Sequence, residues 1–366
     1  MKIGILGTRG IPNHHGGFEQ FAEFFAVFLA EQGHETYVYN SSLHPYKKTE
    51  YKGVHIIHCT DPEDKLGTVG QFIYDLNCIK DSKKRNFDIL LQLGYTSNSI
   101  WHRRLPNNAI IITNMDGLEW KRSKYKKPVR RFLKYAEKLA VKSSDYLIAD
   151  SKGIQNYLQK KYKETSTYIP YGAVPFKLPE PEILDTFNLT PFKYNMLIAR
   201  MEPENNIEVI LDGIVHSDNN DPFIVVGKQD ATKFGRYLVN KFKGNEQIRF
   251  VGGIYNLEDL NNLRYYSNLY FHGHSVGGTN PSLLEAMASQ TLIIAHKNEF
   301  NSAILGRDAL YFSSENDIVS ILNQKKEKNH YENFVTNNMD KVEKLYSWSA
   351  INNAYLNFFK EVYGKT

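Results

Sequence analysis

A chain of 366 residues is too long for one ordinary hydrophobic core, so two domains are expected. Hydrophobic residues at 42% and charged residues at 23% give the balance of a soluble globular protein. A net charge of +5 is too mild for a dedicated nucleic-acid binder, and nucleic acid is set aside as a partner. Tyr and Phe are abundant, with 24 and 21 copies, which suits large cores and surfaces that meet sugars or lipid headgroups. The two cysteines, Cys59 and Cys78, form no metal-ligand pattern and no disulfide framework, as expected for a reducing cytoplasm. Met1–Gly7 starts a strand at once and lacks the long apolar region of a signal peptide. No apolar run is long enough to cross a bilayer. A cytoplasmic protein is predicted, with rest on a membrane surface left open.

Strand and helix patterns alternate from the first residue. Lys2–Leu6 reads as a buried parallel strand. Phe18, Phe21, Ala22, Phe25, Phe28 and Leu29 follow helical spacing, and Gly33 ends that helix. Strands follow at Glu35–Tyr39 and Val54–His58, a helix at Gln71–Ser82, and strands at Asp88–Gln92 and Ala109–Thr113. A long helix, Val129–Lys142, precedes the strand Tyr146–Ala149. This is a β/α sandwich with a mostly parallel sheet. Tyr168–Gly172 and the proline-rich Pro175–Pro191 read as a hinge. A second series then places strands at Asn195–Ala199, Phe223–Val226, Ile248–Val251, Leu269–His272 and Leu292–Ala295. Ile207–Val215 is a helix between the first two. Asn323–Asn329 reads as a charged surface segment. Ser349–Tyr363 is a final helix with Ile351, Tyr355, Phe358 and Phe359 near one face. Two such doubly wound domains form a cleft, and ligands in such sheets bind at the carboxyl ends of the strands.

The most informative stretch is Gly277–Ala288. It reads as a glycine turn running straight into a helix, with Pro281 suited to the first helical turn. Backbone amides of Gly278, Thr279 and Asn280 at such a start suit a phosphate. Glu285, about one turn into the helix, is placed to accept hydrogen bonds from a sugar hydroxyl near that phosphate. The pattern predicts a nucleotide-sugar site. Arg200 closes the first strand of the second domain, where a guanidinium can hold a diphosphate in two-pronged fashion; the plain alternative is an ion pair with Glu202 or Glu204.

Gly4, Gly7 and Gly10 resemble a loose dinucleotide fingerprint. Pro12, Asn13, His14 and His15 intervene before the helix, and the second strand ends without an acid for an adenine ribose. The working loop is instead placed at Gly16 and Gly17, whose backbone can approach a diphosphate. In Asn114–Trp120, Asp116 or Glu119 could orient or deprotonate an acceptor hydroxyl, and Trp120 could stack on a sugar ring. An Asx turn with a satisfied carboxylate is the plain alternative. Lys121, Arg122, Lys124, Lys126, Lys127, Arg130, Arg131 and Lys134 crowd the next segment, with Tyr125 and Phe132 between them. They suit anionic lipid headgroups, at about 1 kcal/mol per cation, an acceptor's diphosphate, or plain solvent. His272 and His274 are read as polar wall residues, since no third ligand stands at metal-binding spacing. No Asp-x-Asp pair occurs, which argues against a divalent-metal clamp on the donor.

Together these motifs resemble a bacterial family 4 retaining glycosyltransferase of the GT-B type over nearly the whole chain. The carriers are Gly16–Glu19, Ala149–Ser151, Ile169–Gly172, Ala199–Glu204, Pro281–Met287 and Tyr346–Ser349. Leu6–Pro12, Asp116–Arg122 and His272–Pro281 are similar to a subgroup of capsule and O-antigen rhamnosyltransferases. The resemblance implies two Rossmann-like domains facing across a cleft. Residues 1–172 would form the acceptor side and 173–348 the nucleotide-sugar domain, with 349–366 crossing back. It implies no cofactor, dTDP-L-rhamnose as donor (UDP- or GDP-linked sugars being the other choices), and a polyprenyl-diphosphate-linked acceptor. Two departures stand out. Position 277 is Gly where the family has a second acid, and position 205 is Asn where it has a lysine. Both losses would suit a deoxysugar donor with fewer hydroxyls to hold, or Lys228 would supply the missing charge. Another nucleotide-sugar enzyme, such as a 2-epimerase, or a non-catalytic sugar- or partner-binding protein are the alternatives.

Overall fold

The computed structural model describes residues 1–14, 16–122, 125–324 and 327–365. His15, Lys124, Lys325 and Lys326, which figure in the loop, basic-cluster and charged-segment readings above, lie outside the described residues, as does Thr366 of the final segment. The chain divides into two compact units. The first comprises Met1–Trp120, Tyr125–Tyr171 and Trp348–Thr366; the second comprises Lys121–Lys124 and Gly172–Ser347.

The first unit is built on β1 (Lys2–Leu6), β2 (Glu35–Ser41), β3 (Glu50–Tyr51), β4 (Val54–Cys59), β5 (Ile89–Leu93), β6 (Ile110–Asn114), β7 (Tyr146–Ala149) and β8 (Thr167–Tyr168). Their order is β3-β4-β2-β1-β5-β6-β7-β8, parallel except where β3 pairs with β4. β5 and β6 are buried at every position, which is why they read as continuous apolar runs rather than as alternation. Chain order reverses between β1 and β5, the switch point where such sheets take ligands.

The helix Gly17–Glu31 buries Phe21, Phe25 and Leu29. The last helix, Trp348–Tyr363, packs on it. Tyr355 meets Phe21 at 4.7 Å and Phe25 at 5.0 Å between ring centres, and Trp348 stacks on Phe24 at 4.6 Å. Asn114 Nδ2 donates to the Tyr355 hydroxyl at 2.9 Å, tying this helix to the end of β6.

The second unit carries β9 (Asn195–Ile198), β10 (Phe223–Val226), β11 (Ile248–Gly252), β12 (Leu269–His272), β13 (Ile293–His296) and β14 (Leu310–Phe312). All pairs are parallel, in the order β11-β10-β9-β12-β13-β14. This is the doubly wound order, with its switch point between β9 and β12. One core face gathers Leu197, Phe223, Val225, Phe271 and Ile294 against Ile207, Leu211, Ile214 and Leu238.

Three differences from the sequence reading have clear causes. The helix expected at Val129–Lys142 runs Lys127–Ser143, because Pro128 fits the first turn instead of delaying it. The proline-rich hinge contains a short helix, Glu182–Thr186, which starts after Pro181. Asn323–Asn329 is not all solvated surface. Lys328 Nζ donates to the Tyr265 carbonyl at 2.6 Å and lies 4.5 Å from the Tyr265 ring centre. Burial pushes that amine down to about 7.

Candidate active site

The loops that leave β9, β10 and β12 are locked together at the second sheet's switch point. A Cβ at Gly273 would lie 2.0 Å from the Asn205 carbonyl oxygen, and one at Gly227 would lie 2.1 Å from the Ala199 oxygen. Only glycine allows backbones this close. Asn206 Nδ2 donates to the Gly273 carbonyl at 2.7 Å, and Ser275 donates to the Glu204 carbonyl through its amide at 3.1 Å and its hydroxyl at 2.7 Å. The loop after β9 carries Arg200, whose side chain is exposed; the loop after β10 carries Lys228, exposed beside Tyr255. Tyr255 raises the Lys228 ammonium pKa, so this amine stays charged. Asn205 is buried, and its amide donates to the Arg200 carbonyl at 2.7 Å. Its side chain therefore shapes the turn that carries Arg200.

The glycine turn after β12 ends in a capped helix, Pro281–Ala288. Asn280 is the N-cap, and its Oδ1 accepts from the Ser282 amide at 2.9 Å. Its carbonyl accepts from Leu283 at 3.0 Å and from Leu284 at 3.3 Å. Pro281 has no amide hydrogen. The first helical turn has thus spent its donors on Asn280, and amides for an anion must come from the preceding turn. Gly277 sits at φ 137°, a region that disfavours side chains, with nothing among the described residues within 4 Å of the place its Cβ would take. Glu285 does not stand alone on the helix face. Arg264 Nη2 donates to its Oε2 at 2.6 Å, and the same guanidinium donates to Asn261 at 2.9 Å.

His272 and His274 face each other beneath this turn, their rings stacked at 4.4 Å and 17°. Neither ring nitrogen of His272 has a hydrogen-bond partner among the described residues, nor does Nδ1 of His274. Burial, then the guanidiniums of Arg200 and Arg122, push the His274 imidazolium down to about 3. Burial, then His274 and Arg264, hold His272 well below the usual range. Both rings are neutral at any physiological pH.

In the first unit, Gly16 precedes the helix Gly17–Glu31 and its amide donates to Asn13. Glu19 is buried and accepts the Arg9 amide at 2.9 Å. Asp116 has φ 41°, and its amide donates to Asn114 Oδ1 at 3.0 Å, an Asx turn at the end of β6. Asp116 and Glu119 are partly exposed. Trp120 is held rather than loose. Its indole donates to Glu137 Oε2 at 2.9 Å, and the Lys134 ammonium lies 4.2 Å from its ring centre. Glu137 is fully buried and also accepts from Tyr157 at 2.8 Å, Lys161 at 2.7 Å and Tyr162 at 2.6 Å. Lys121, Lys126, Lys127 and Arg131 are exposed, while Arg122 and Arg130 are partly so.

Arg200, Asn205, Lys228, Gly278, Thr279, Asn280 and Glu285 thus share one end of the second sheet, where Arg122 also acts on His274. Gly16, Gly17, Asp116, Glu119 and Trp120 belong to the first unit. Arg264, Glu137, Asn298 and Asn301 escaped the sequence reading, for they sit inside plain helical patterns or at helix starts. Asn298 and Asn301 each donate to the His274 carbonyl at 3.0 Å. Among the described residues no group of His, Cys, Asp and Glu could hold a metal ion, and no helix is long and apolar enough to cross a membrane.

Residues 1–174 match a family model described as "Domain of unknown function (DUF1972)". Residues 188–333 match the model described as "Glycosyl transferases group 1". No curated protein matches the chain in sequence. Solved structures do resemble it. Sucrose-phosphate synthase from Thermosynechococcus elongatus superposes with a TM-score of 0.82 at 16% identity, over 100% of both chains. HepE from Anabaena, solved with UDP and glucose, gives 0.77 at 15% identity over 99% of this chain and 100% of its own. A trehalose-6-phosphate protein from E. coli, bound to UDP-2-fluoro glucose, gives 0.73 at 10% identity over 98% of each. At such identities the likeness speaks for the fold, while the group 1 match covers the unit that holds Arg200 and the glycine turn. The chain has the two-domain α/β fold of the GT-B enzymes, carries a glycosyl transferases group 1 domain, and is a glycosyltransferase.

Proposed function

We propose that the second unit binds a nucleotide-diphosphate sugar and that the enzyme transfers the sugar with retention and without a metal. One observation carries this reading: the loop that bears Arg200 lies against the loop that leads into the glycine turn at the β9/β12 switch point, through the Gly273–Asn205 backbone contact. The guanidinium of Arg200, the ammonium of Lys228 and the turn amides at Gly278, Thr279 and Asn280 would meet the charge of the departing diphosphate. Each well-aimed donor of this kind is worth about 3 kcal/mol of barrier. Glu285, with one oxygen pinned by Arg264, would offer the other to the nucleotide ribose. HepE solved with UDP and glucose, and the E. coli protein bound to UDP-2-fluoro glucose, support a nucleoside diphosphate as the leaving group.

The first unit would supply the acceptor side, with the Gly16–Gly17 backbone near the diphosphate and Asp116 or Glu119 orienting the acceptor hydroxyl. The sequence offers no evident covalent nucleophile, so attack on the same face as the leaving phosphate is the course proposed. The Asp116–Arg122 and His272–Pro281 motifs favour dTDP-L-rhamnose as donor and a polyprenyl-diphosphate-linked saccharide as acceptor, in the manner of the family 4 rhamnosyltransferases of surface polysaccharide synthesis. The exposed Lys121, Lys126, Lys127 and Arg131 would then rest on anionic headgroups at the inner face of the cell membrane.

A thermal-shift panel of dTDP-, UDP- and GDP-linked sugars tests the reading. A true donor at about 100 times its Kd stabilises the folded state by roughly 2.7 kcal/mol. Arg200→Ala should abolish that shift and cut turnover about 100-fold. Unaltered turnover would remove Arg200, and with it this scheme.

A further inference from the structure

The diphosphate reading leaves His272 and His274 unused, although they lie at the root of the glycine turn. β12 alternates, so Tyr270 and His272 share one face, and the Tyr270 hydroxyl meets Ser282 Oγ at 2.9 Å on the capped helix. His272 is 1% exposed, and both of its ring nitrogens lack a partner among the described residues. His274 lies on top of it, fixed through its carbonyl by Asn298 and Asn301, which leaves its ring to other work. A buried imidazole holds one N–H and one lone pair, and leaving them unmet is costly. His274 is partly exposed at the root of the glycine turn, so a ligand bound there can reach its ring, while His272 lies buried behind it.

We propose that the stacked His272–His274 pair reads the transferred sugar, with His274 hydrogen-bonding a sugar hydroxyl and His272 supporting its ring. This rests on the second unit binding a nucleotide sugar, and it assigns the sugar-recognising groups of that site. The division of labour follows from charge. Arg200 and Lys228 suit the anionic diphosphate. A neutral ring that offers both a donor and an acceptor suits an uncharged hydroxyl, which is itself both. The positive charges of Arg200 and Arg122 act on His274 and that of Arg264 on His272, and they oppose any positive charge on the pair. The pair therefore reads hydroxyls without competing for phosphate.

Isothermal titration with UDP, GDP and dTDP, and with UDP-glucose, GDP-mannose and dTDP-L-rhamnose, tests this on the full chain. The quantity read is the ratio of affinities for a sugar nucleotide and its bare diphosphate. His274→Ala should lower that ratio about 2- to 12-fold, the value of one neutral hydrogen bond. Affinity for the bare diphosphate should stay within about twofold, which also shows the variant is folded. His274→Asn or His274→Gln should restore part of the ratio, and His272→Phe, which keeps the stack, should lower it less than His274→Ala. The ratio should be flat between pH 5.5 and 8, since neither ring takes a proton there. An unchanged ratio in every variant would overturn the assignment. So would an equal loss for sugar nucleotide and diphosphate, or a ratio that titrates near pH 6.5. Wild-type protein that binds none of the three diphosphates would instead overturn the donor reading beneath it.

Discussion

Arg264 and Glu285 form an ion pair of unequal depth: the guanidinium is 1% exposed and the carboxylate 20% exposed, at 2.6 Å. The pair joins the helix Leu257–Tyr265 to the helix that follows the glycine turn. Removing either partner strands a charge, and the cost depends on how much water can reach what remains. Glu285→Leu leaves the deeper charge and should cost about 3–5 kcal/mol. Arg264→Met leaves a carboxylate that solvent reaches and should cost less. Urea unfolding of both variants measures the order, and the reverse order would contradict this account of the pair.

Glu137 should behave as the keystone of the Asp116–Trp120 segment. Its buried carboxylate accepts from the indole of Trp120 on one oxygen, and from Tyr157, Lys161 and Tyr162 on the other. Burial, then the hydrogen bond to Glu137, raises the pKa of the Tyr157 and Tyr162 phenols, so both remain donors throughout the working range. Glu137→Ala removes an acceptor from four groups. A loss of about 3 kcal/mol in urea stability is expected, together with a change in Trp120 fluorescence as its indole loses its partner. Trp120→Phe should lose much less, because the other three donors keep their acceptor.

The parallel strands were legible because burial on both faces turns them into apolar runs, and Ile110–Asn114 lies one residue from its predicted place. The helix start at Pro281 was legible because Asn280, Pro281 and the glycines are local signals. Partners were not. Nothing near Glu285 names Arg264, 21 residues earlier, and nothing near Trp120 names Glu137, since each pair meets only when helices pack. The cap bond from the Ser282 amide to Asn280 is local by contrast, and it keeps the anion reading on the turn at Gly278–Asn280, where the sequence had put it. Lys328 misled in the opposite direction: a charged segment reads as solvent-facing until Phe192 and Tyr265 are seen around the amine.

Asp75 should tilt the stability of the first unit with pH. It is 3% exposed, accepts a hydrogen bond from Ser97, and burial raises its pKa from 3.8 to about 7. The folded state therefore keeps a proton between about pH 4 and pH 7 that the unfolded chain has released, so stability falls as pH rises through that window. The full cost, on the order of 4 kcal/mol, is present above pH 7. His274 tilts the other way, since the unfolded chain takes up a proton below 6.5 that the folded ring refuses until about 3. The difference between wild type and Asp75→Asn isolates the first effect. The variant should match wild type near pH 4 and gain stability relative to it up to pH 8; a constant difference across that range would contradict the assignment.

Gly273 is where fold and site depend on one missing methyl group. A Cβ there would stand 2.0 Å from the Asn205 carbonyl oxygen and 2.9 Å from Ile210 Cδ1. The oxygen is backbone, so relief requires the β9 and β12 loops to move apart rather than a side chain to turn. That motion would stretch the Asn206–Gly273 and Ser275–Glu204 hydrogen bonds and carry Arg200 away from the glycine turn. Gly273→Ala should cost about 1–3 kcal/mol of stability. Its loss of nucleoside-diphosphate affinity should be larger than that cost explains, because the binding groups sit on the two displaced loops. Gly227→Ala, which meets the Ala199 oxygen at 2.1 Å, should do the same from the β10 side. Chemical denaturation and titration with UDP, GDP and dTDP separate the two effects. A Gly273→Ala protein with wild-type affinity would mean that the loop contact does not position Arg200.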